Sequence, residues 1–145
     1  MQNNDKKNKK ILHLQNLLIF LFSFLPTKPF DNQQEIMYHI FMMDIEILRE
    51  YYKTDNVFIT NHAAERCRQR KIVSKDIQNA IMTGEIIEDY PDDFPFPSCL
   101  VCGKSTKDEI IHVCISDEGT SSKIITVYIP SLEKWEDDFK TRRRH

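Results

Sequence analysis

Three side chains in the stretch Asn61-His62-Ala63-Ala64-Glu65-Arg66-Cys67-Arg68-Gln69-Arg70 have the types and spacing for phosphate chemistry. His62, Arg66 and Arg70 stand four residues apart, so on a helix they form one stripe. Guanidinium groups grip a phosphodiester through paired N–H donors, and an imidazole titrates near neutrality and can move a proton at its edge. Arg68 and Lys71 add charge beside the stripe as candidate substrate-binding residues. The competing reading is an ordinary solvated basic helix face, and the rest of the chain must separate the two.

A second set comes from the β-rich half. Glu109 to Ser116 and Lys123 to Ile129 alternate as strands do. Alternation assigns Ile111, Val113 and Ile115, and likewise Ile125, Val127 and Ile129, to a core wall. The opposite rows are Ile110, His112 and Cys114, and Ile124, Thr126 and Tyr128, which mix apolar with polar side chains and could line a cleft. His112 is a candidate acid or base, Tyr128 could position a proton or stack on a base, and Thr126 could orient a phosphate oxygen. The alternative for His112 is a half-buried structural histidine.

The elements that must position these groups follow from periodicity and breakers. Asp31 with Gln34 makes a capping-box-like start, and Met37, Phe41, Ile45, Leu48 and Tyr52 predict a helix to about Tyr52. Thr54-Asp55-Asn56 ends it, and Val57-Phe58-Ile59 is a short strand or extended entry. Thr60 or Asn61 caps the His/Arg helix. Ser74 caps another, with Asp76 in its first turn, Ile77, Ala80 and Ile81 facing inward and Gly84 as the stop. Glu85 to Tyr90 is extended and runs into a turn-rich stretch. Three strands follow: Ser98 to Gly103, Glu109 to Ser116 and Lys123 to Ile129. After Pro130, Ser131 is expected to cap a final amphipathic turn or short C-terminal helix carrying Trp135 and Phe139. Helices followed by hairpin-linked strands predict an α+β domain: N-terminal helices packed on a twisted antiparallel sheet of about four strands, with that short helix at the end.

Composition narrows the function classes. The chain has 145 residues, 41% hydrophobic and 29% charged, which suits one globular domain with appendages. Three glycines and the lack of GxGxxG or GxxxxGK[ST] argue against a glycine-rich nucleotide loop. A net charge of −2 gives no global attraction to nucleic acid, so any such site is a local patch. Charge is segregated: Arg66, Arg68, Arg70, Lys71 and Lys75 precede the acidic run Glu85, Glu88, Asp89, Asp92 and Asp93, and Lys140-Thr141-Arg142-Arg143-Arg144-His145 is basic again. Ion pairing of Arg66 and Arg70 with that acidic run is the main structural rival to a phosphate site. Four cysteines do not make a disulfide scaffold, and a reducing, cytoplasmic setting is the simpler expectation. Cys99-Leu100-Val101-Cys102 puts two thiols on opposite faces of a strand, so no metal site and no cofactor is expected.

Residues 1–42 read as an extension of a domain at 43–145. Lys6, Lys7, Lys9 and Lys10 precede the apolar run Leu17 to Leu25, which Pro26 and Pro29 end. It lacks a small-residue cleavage pattern and falls short of the roughly 20 residues of a membrane span. A membrane-associated N-terminus and a translation start at Met37, Met42 or Met43 are both open, the second being preferred.

The pattern Ile59-Thr60-x-His62-Ala63-x-x-Arg66-x-x-x-Arg70, then Ile77-x-x-Ala80-Ile81-x-x-Gly84-Glu85-Ile86-Ile87, resembles the bacterial domain of unknown function 4258. Tyr90-Pro91, Pro97-Ser98-Cys99-Leu100, His112-Val113, Thr126-Val127-Tyr128-x-Pro130 and Trp135-Glu136-x-Asp138-Phe139-Lys140-Thr141-Arg142-Arg143 extend the resemblance from about Asp44 to Arg143. Members begin near the position of Met43, which motivates the late start. The resemblance implies a fold similar to RelE-type toxins, metal-independent cleavage of RNA, and a small zinc-finger antitoxin-like protein as partner. His62, Arg66, Arg70, His112 and Tyr128 would be catalytic, and Thr126, Arg68 and Lys71 would bind substrate. The alternative is a non-catalytic protein-binding module of the same fold, its basic stripe and acidic segment forming the partner surface.

Overall fold

A computed structural model describes residues 42–144. The expected helix start at Asp31, and nearly all of the proposed extension, lie outside the described residues. Within them the order is α1 (Ile45–Lys53), β1 (Val57–Ile59), α2 (Asn61–Arg70), α3 (Ser74–Thr83), β2 (Glu85–Tyr90), β3 (Ser98–Lys104), β4 (Ile110–Asp117) and β5 (Ser122–Tyr128). No helix among the described residues is long and apolar enough to cross a membrane.

Local chemistry sets the helix ends. The Asp44 carboxylate accepts the Glu46 N–H at 2.9 Å to start α1, and the Thr60 hydroxyl accepts the Ala63 N–H at 3.1 Å to start α2. Lys71 closes α2 at φ 56°, in the left-handed region, and the next N–H, of Ile72, reaches back to the Cys67 carbonyl at 2.9 Å. α3 departs from expectation by one residue. Val73 is its N-cap and Ser74 its first residue, because the buried Asp76 carboxylate reaches back to the Val73 N–H at 2.9 Å. The other Asp76 oxygen accepts the Thr106 N–H at 2.9 Å and the Thr106 hydroxyl at 2.5 Å, tying α3 to the β3–β4 turn. These donors hold the Asp76 carboxyl below its usual range.

The sheet has five strands in the order β1-β5-β4-β3-β2, and it is mixed. β2 to β5 are antiparallel neighbours, as expected, but β1 adds to β5 in parallel. That pairing has no local signature, since β1 and β5 meet only after the whole α2-to-β4 excursion. One face carries Cys99, Val101, Ile111, Val113, Ile115, Ile124 and Val127, which pack with Leu48, Ala63, Cys67, Ile77, Ala80 and Ile81 of the helices into the core.

Strict alternation fails in β5. Ile124 is fully buried, whereas Ile125 and Ile129 are 36% and 52% exposed. The register slips opposite Cys114/Ile115, where Ile124 pairs with Ile115 and Thr126 with Cys114. The bulge absorbs Ile125, so Ile124 and Val127 share the core face while Thr126 and Tyr128 keep the other.

The C-terminal helix is also absent. Residues 131–143 form a strap across the second face of the sheet, with one turn in which the Lys134 and Trp135 N–H groups both bond the Ser131 carbonyl. Asp138 then accepts the Lys140 N–H, the Thr141 N–H and the Thr141 hydroxyl at 2.8, 2.9 and 2.7 Å, and this local turn outcompetes a helix. A bridge between Trp135 and Arg142 closes the strap on itself.

α3 lies unusually close to the sheet at Gly103. A Cβ there would sit 2.2 Å from the Ala80 carbonyl oxygen and 2.6 Å from the Ala80 Cα. Gly103→Ala must therefore push α3 off β3. We expect a loss of about 2–3 kcal/mol in chemical denaturation, in the range of core overpacking.

Candidate functional site

The second sheet face carries Leu100, Cys102, His112, Cys114, Thr126 and Tyr128, with Glu85, Glu88 and Tyr90 on the neighbouring strand. Direct cross-strand pairing sets His112 against Tyr128 and Cys114 against Thr126. The strap covers the middle of this face. Trp135 is 1% exposed and meets the His112 ring edge-on, with centroids 4.5 Å apart and planes at 90°. Tyr128 meets the same imidazole from the other side at 5.1 Å and 71°.

His112 is fully buried and uses both ring nitrogens. Nε2 lies 2.7 Å from the Phe139 carbonyl, which can only accept, so Nε2 carries the proton. Nδ1 is then a bare acceptor, and the Tyr128 hydroxyl, 3.0 Å away, donates to it. Burial pushes the His112 pKa below its ordinary value, more than the Phe139 hydrogen bond and the Glu88 charge raise it. The imidazole is therefore neutral at neutral pH. Burial raises the Tyr128 phenol above its usual pKa.

Beside this pair lies an open cleft of about 440 Å³, lined by Tyr128, Thr126, Arg70, Lys134, Arg142 and the edge of Trp135, among others. Arg70 enters from α2, where its Nη1 donates to the Val127 carbonyl at 3.1 Å. Among the described residues neither Arg70 nor Lys134 pairs with a carboxylate. Arg142 does: its Nε and Nη2 grip Glu88 at 2.9 and 2.8 Å, and its guanidinium carbon stands 4.6 Å from the Trp135 ring centroid. The Arg142 fork holds the Glu88 carboxyl below its usual range.

The structure thus gathers four of the residues singled out from sequence: Arg70, His112, Thr126 and Tyr128. His62, Arg66, Arg68 and Lys71 are exposed on or beside α2 and do not line the cleft. Each four-residue step advances about 40° around a helix, so only the last member of the stripe swings onto the sheet edge. Arg68 lies on the far side and pairs with Glu65 at 2.5 Å. The rival ion pairing of Arg66 and Arg70 with the acidic run is not found. Glu85 is taken by Lys140 and Glu88 by Arg142, both from the basic tail, while Asp89 accepts the Met43 N–H at 3.2 Å and Asp93 the Ser98 hydroxyl. Lys134, Trp135 and Arg142 were not expected at the site. Charge complementarity between the tail and the acidic run was the one signal that could have found Arg142.

The remaining thiols offer no nucleophile. Cys99 and Cys102 lie on opposite faces of β3, and burial raises the pKa of all four cysteines, which keeps them protonated. Among the described residues no three His, Cys, Asp or Glu side chains gather as metal ligands.

Residues 59–129 match the family described as Domain of unknown function (DUF4258). The match supports the resemblance drawn from the motifs, over a shorter stretch. It runs from the end of β1 to just past β5, so it takes in Arg70, His112, Thr126 and Tyr128 and leaves the Trp135 strap outside. No curated protein and no solved structure matches the chain.

The depressed His112 pKa has a stability consequence. The unfolded histidine titrates near 6.5, so below that pH the unfolded chain binds a proton that the folded one refuses. Stability from this source is complete above about pH 6.5 and declines as pH falls below it. Trp135, the sole tryptophan, reports the strap directly. Unfolding followed by its emission should show stability falling between pH 6.5 and 5 in the wild type, and a flatter profile in His112→Gln.

Proposed function

We propose that the cleft binds the phosphodiester backbone of RNA and cleaves it without a metal ion, the 2′-hydroxyl being the nucleophile. One observation carries the proposal: a tyrosine hydroxyl in the cleft donates to the bare nitrogen of a buried neutral histidine, beside an arginine with no carboxylate partner among the described residues. The reaction needs a base for the 2′-proton and cations on the phosphorane. The Tyr128 oxygen takes the 2′-proton as its own proton passes to Nδ1 of His112. The imidazolium that forms still donates Nε2–H to the Phe139 carbonyl and sits in the field of Glu88, which favours the charged ring. The 2′-oxygen bonds to phosphorus and the 5′-oxygen leaves, taking a proton from water in the open cleft; the hydroxide so formed is neutralised as His112 returns its proton through Tyr128. The products are a 2′,3′-cyclic phosphate and a 5′-hydroxyl. Arg70 and Lys134 stabilise the added negative charge, and Thr126 orients a phosphate oxygen.

This activity is similar to that of RelE-type toxins, and the proposal includes their mode of restraint, a small zinc-finger antitoxin-like partner. The rival reading, a non-catalytic protein-binding surface built on the basic stripe and the acidic segment, loses ground because Glu85 and Glu88 already pair with Lys140 and Arg142 within the chain.

The test incubates the purified full chain with RNA in the presence of a chelator and identifies the product ends. Wild type should leave cyclic phosphates and 5′-hydroxyls. Tyr128→Phe and Arg70→Ala should each lose about 100-fold or more in kcat while keeping the native circular dichroism. Because His112 must be neutral to accept the proton, the acid limb of the rate profile should lie below pH 6.5. Intact RNA after incubation with folded wild-type protein would overturn the proposal.

A further inference from the structure

The stripe residues left outside the cleft, His62 and Arg66, stand along a line that leads from it. α2 runs beside the edge of β5: Thr60 N–H bonds the Ile124 carbonyl at one end, and Arg70 bonds the Val127 carbonyl at the other. From Arg70 back to Thr60 is about 15 Å of helix. Arg66 is exposed, has no carboxylate partner among the described residues, and its nearest polar contact is a long one of 3.4 Å to Gln69. His62 is exposed one turn further on. The acidic member of the helix, Glu65, is occupied by Arg68 and Gln69.

At the Thr60 end lies a second depression, of about 300 Å³ and mainly apolar. Thr60, Phe94, Pro95, Phe96, Lys123 and Ile125 line it. Phe94 is 95% exposed and Phe96 is 39% exposed. Two carboxylates also border it, but Glu118 pairs with Lys123 at 2.7 Å and Asp93 accepts the Ser98 hydroxyl. Adjacent residues of β5 connect the two hollows, Thr126 lining the cleft and Ile125 the apolar depression. Cations spaced along a backbone path, ending at solvent-facing aromatic rings, are the recurring equipment for gripping single-stranded nucleic acid.

We infer that the substrate is single-stranded and that its flanking nucleotides run from the cleft along α2, with Arg66 and His62 on the phosphates and Phe94 and Phe96 stacking on bases beyond them. The inference rests on the cleft's assignment to RNA and adds the strandedness and direction of the bound chain. Neither Arg66 nor Phe94 touches the scissile group, so both contribute to binding and not to the chemical step. A duplex cannot use the track, because its bases are already stacked and its edges turned inward.

The test uses the full chain and two probes: a short oligouridylate for turnover, and the all-2′-deoxy chain of the same length for binding without cleavage. Arg66→Ala should lower the slope of log affinity against log salt by about 0.7, one single-strand phosphate contact. Phe94→Ala should weaken binding about tenfold at every salt concentration. Both should raise KM with kcat unchanged, and both should lose their effect on a dinucleotide too short to reach along α2. Arg68→Ala removes the same charge from the opposite side of the same helix and should behave as wild type. An Arg66→Ala salt slope equal to that of Arg68→Ala, or Phe94→Ala binding equal to wild type, would overturn the track; the second result would reassign the aromatic loop to a protein partner. Cleavage that persists without these differences overturns the track alone. Deoxy-oligonucleotide binding with these losses but no RNA cleavage by wild type overturns the catalytic reading and leaves the track.

Discussion

A neutral imidazole with no exposed surface can be kept only if both ring nitrogens find partners. His112 finds one on its own sheet and the other on the strap, and much of the second face follows from that division. The Phe139 carbonyl must come over β4, which draws residues 131–143 across the sheet. Trp135 then fills the space against the imidazole. Its backbone pairs with Arg142, whose guanidinium is left facing Glu88 on β2. One wall of the cleft, with Lys134 and Arg142, is thus laid down by the hydrogen-bond demand of a single buried ring. The same demand fixes the tautomer that leaves Nδ1 open to Tyr128.

Electrostatics supports this arrangement without a basic chain. The net charge of −2 conceals a sorting in which several carboxylates around this face are engaged by cations of the same chain. Glu85 and Glu88 face the tail, and Glu65 faces Arg68. Such exposed pairs contribute little to stability. Their effect here is positional: they occupy Glu65, Glu85 and Glu88, none of which pairs with Arg70, Arg66 or Lys134.

Much of the fold was legible because local rules governed it. Helical spacing located α2 and α3, Thr60 and Gly84 marked ends, and alternation put His112, Thr126 and Tyr128 on one face. What escaped were features decided at long range. Nothing local in Val57-Phe58-Ile59 announces a parallel partner in β5. A bulge leaves no trace in a run as uniformly apolar as Ile124-Ile125, so Ile125 and Ile129 were misplaced in the core. The strap read as a helix because Trp135 and Phe139 have helical spacing behind a Ser131 cap, yet Asp138 offers its neighbours a tighter turn. The stripe was legible as a stripe, but its 40° drift decided which member reaches the sheet, and that depends on where the helix lies.

β1 ends at Ile59, so the second half of β5 has no strand on that side and would offer bare carbonyls to any passing chain. Arg70 occupies that opening through its bond to the Val127 carbonyl. The side chain proposed to hold a phosphate therefore also covers a carbonyl left open at the sheet edge. Replacing it would uncover the Val127 carbonyl, which ties the integrity of the sheet edge to the residue proposed to serve the cleft.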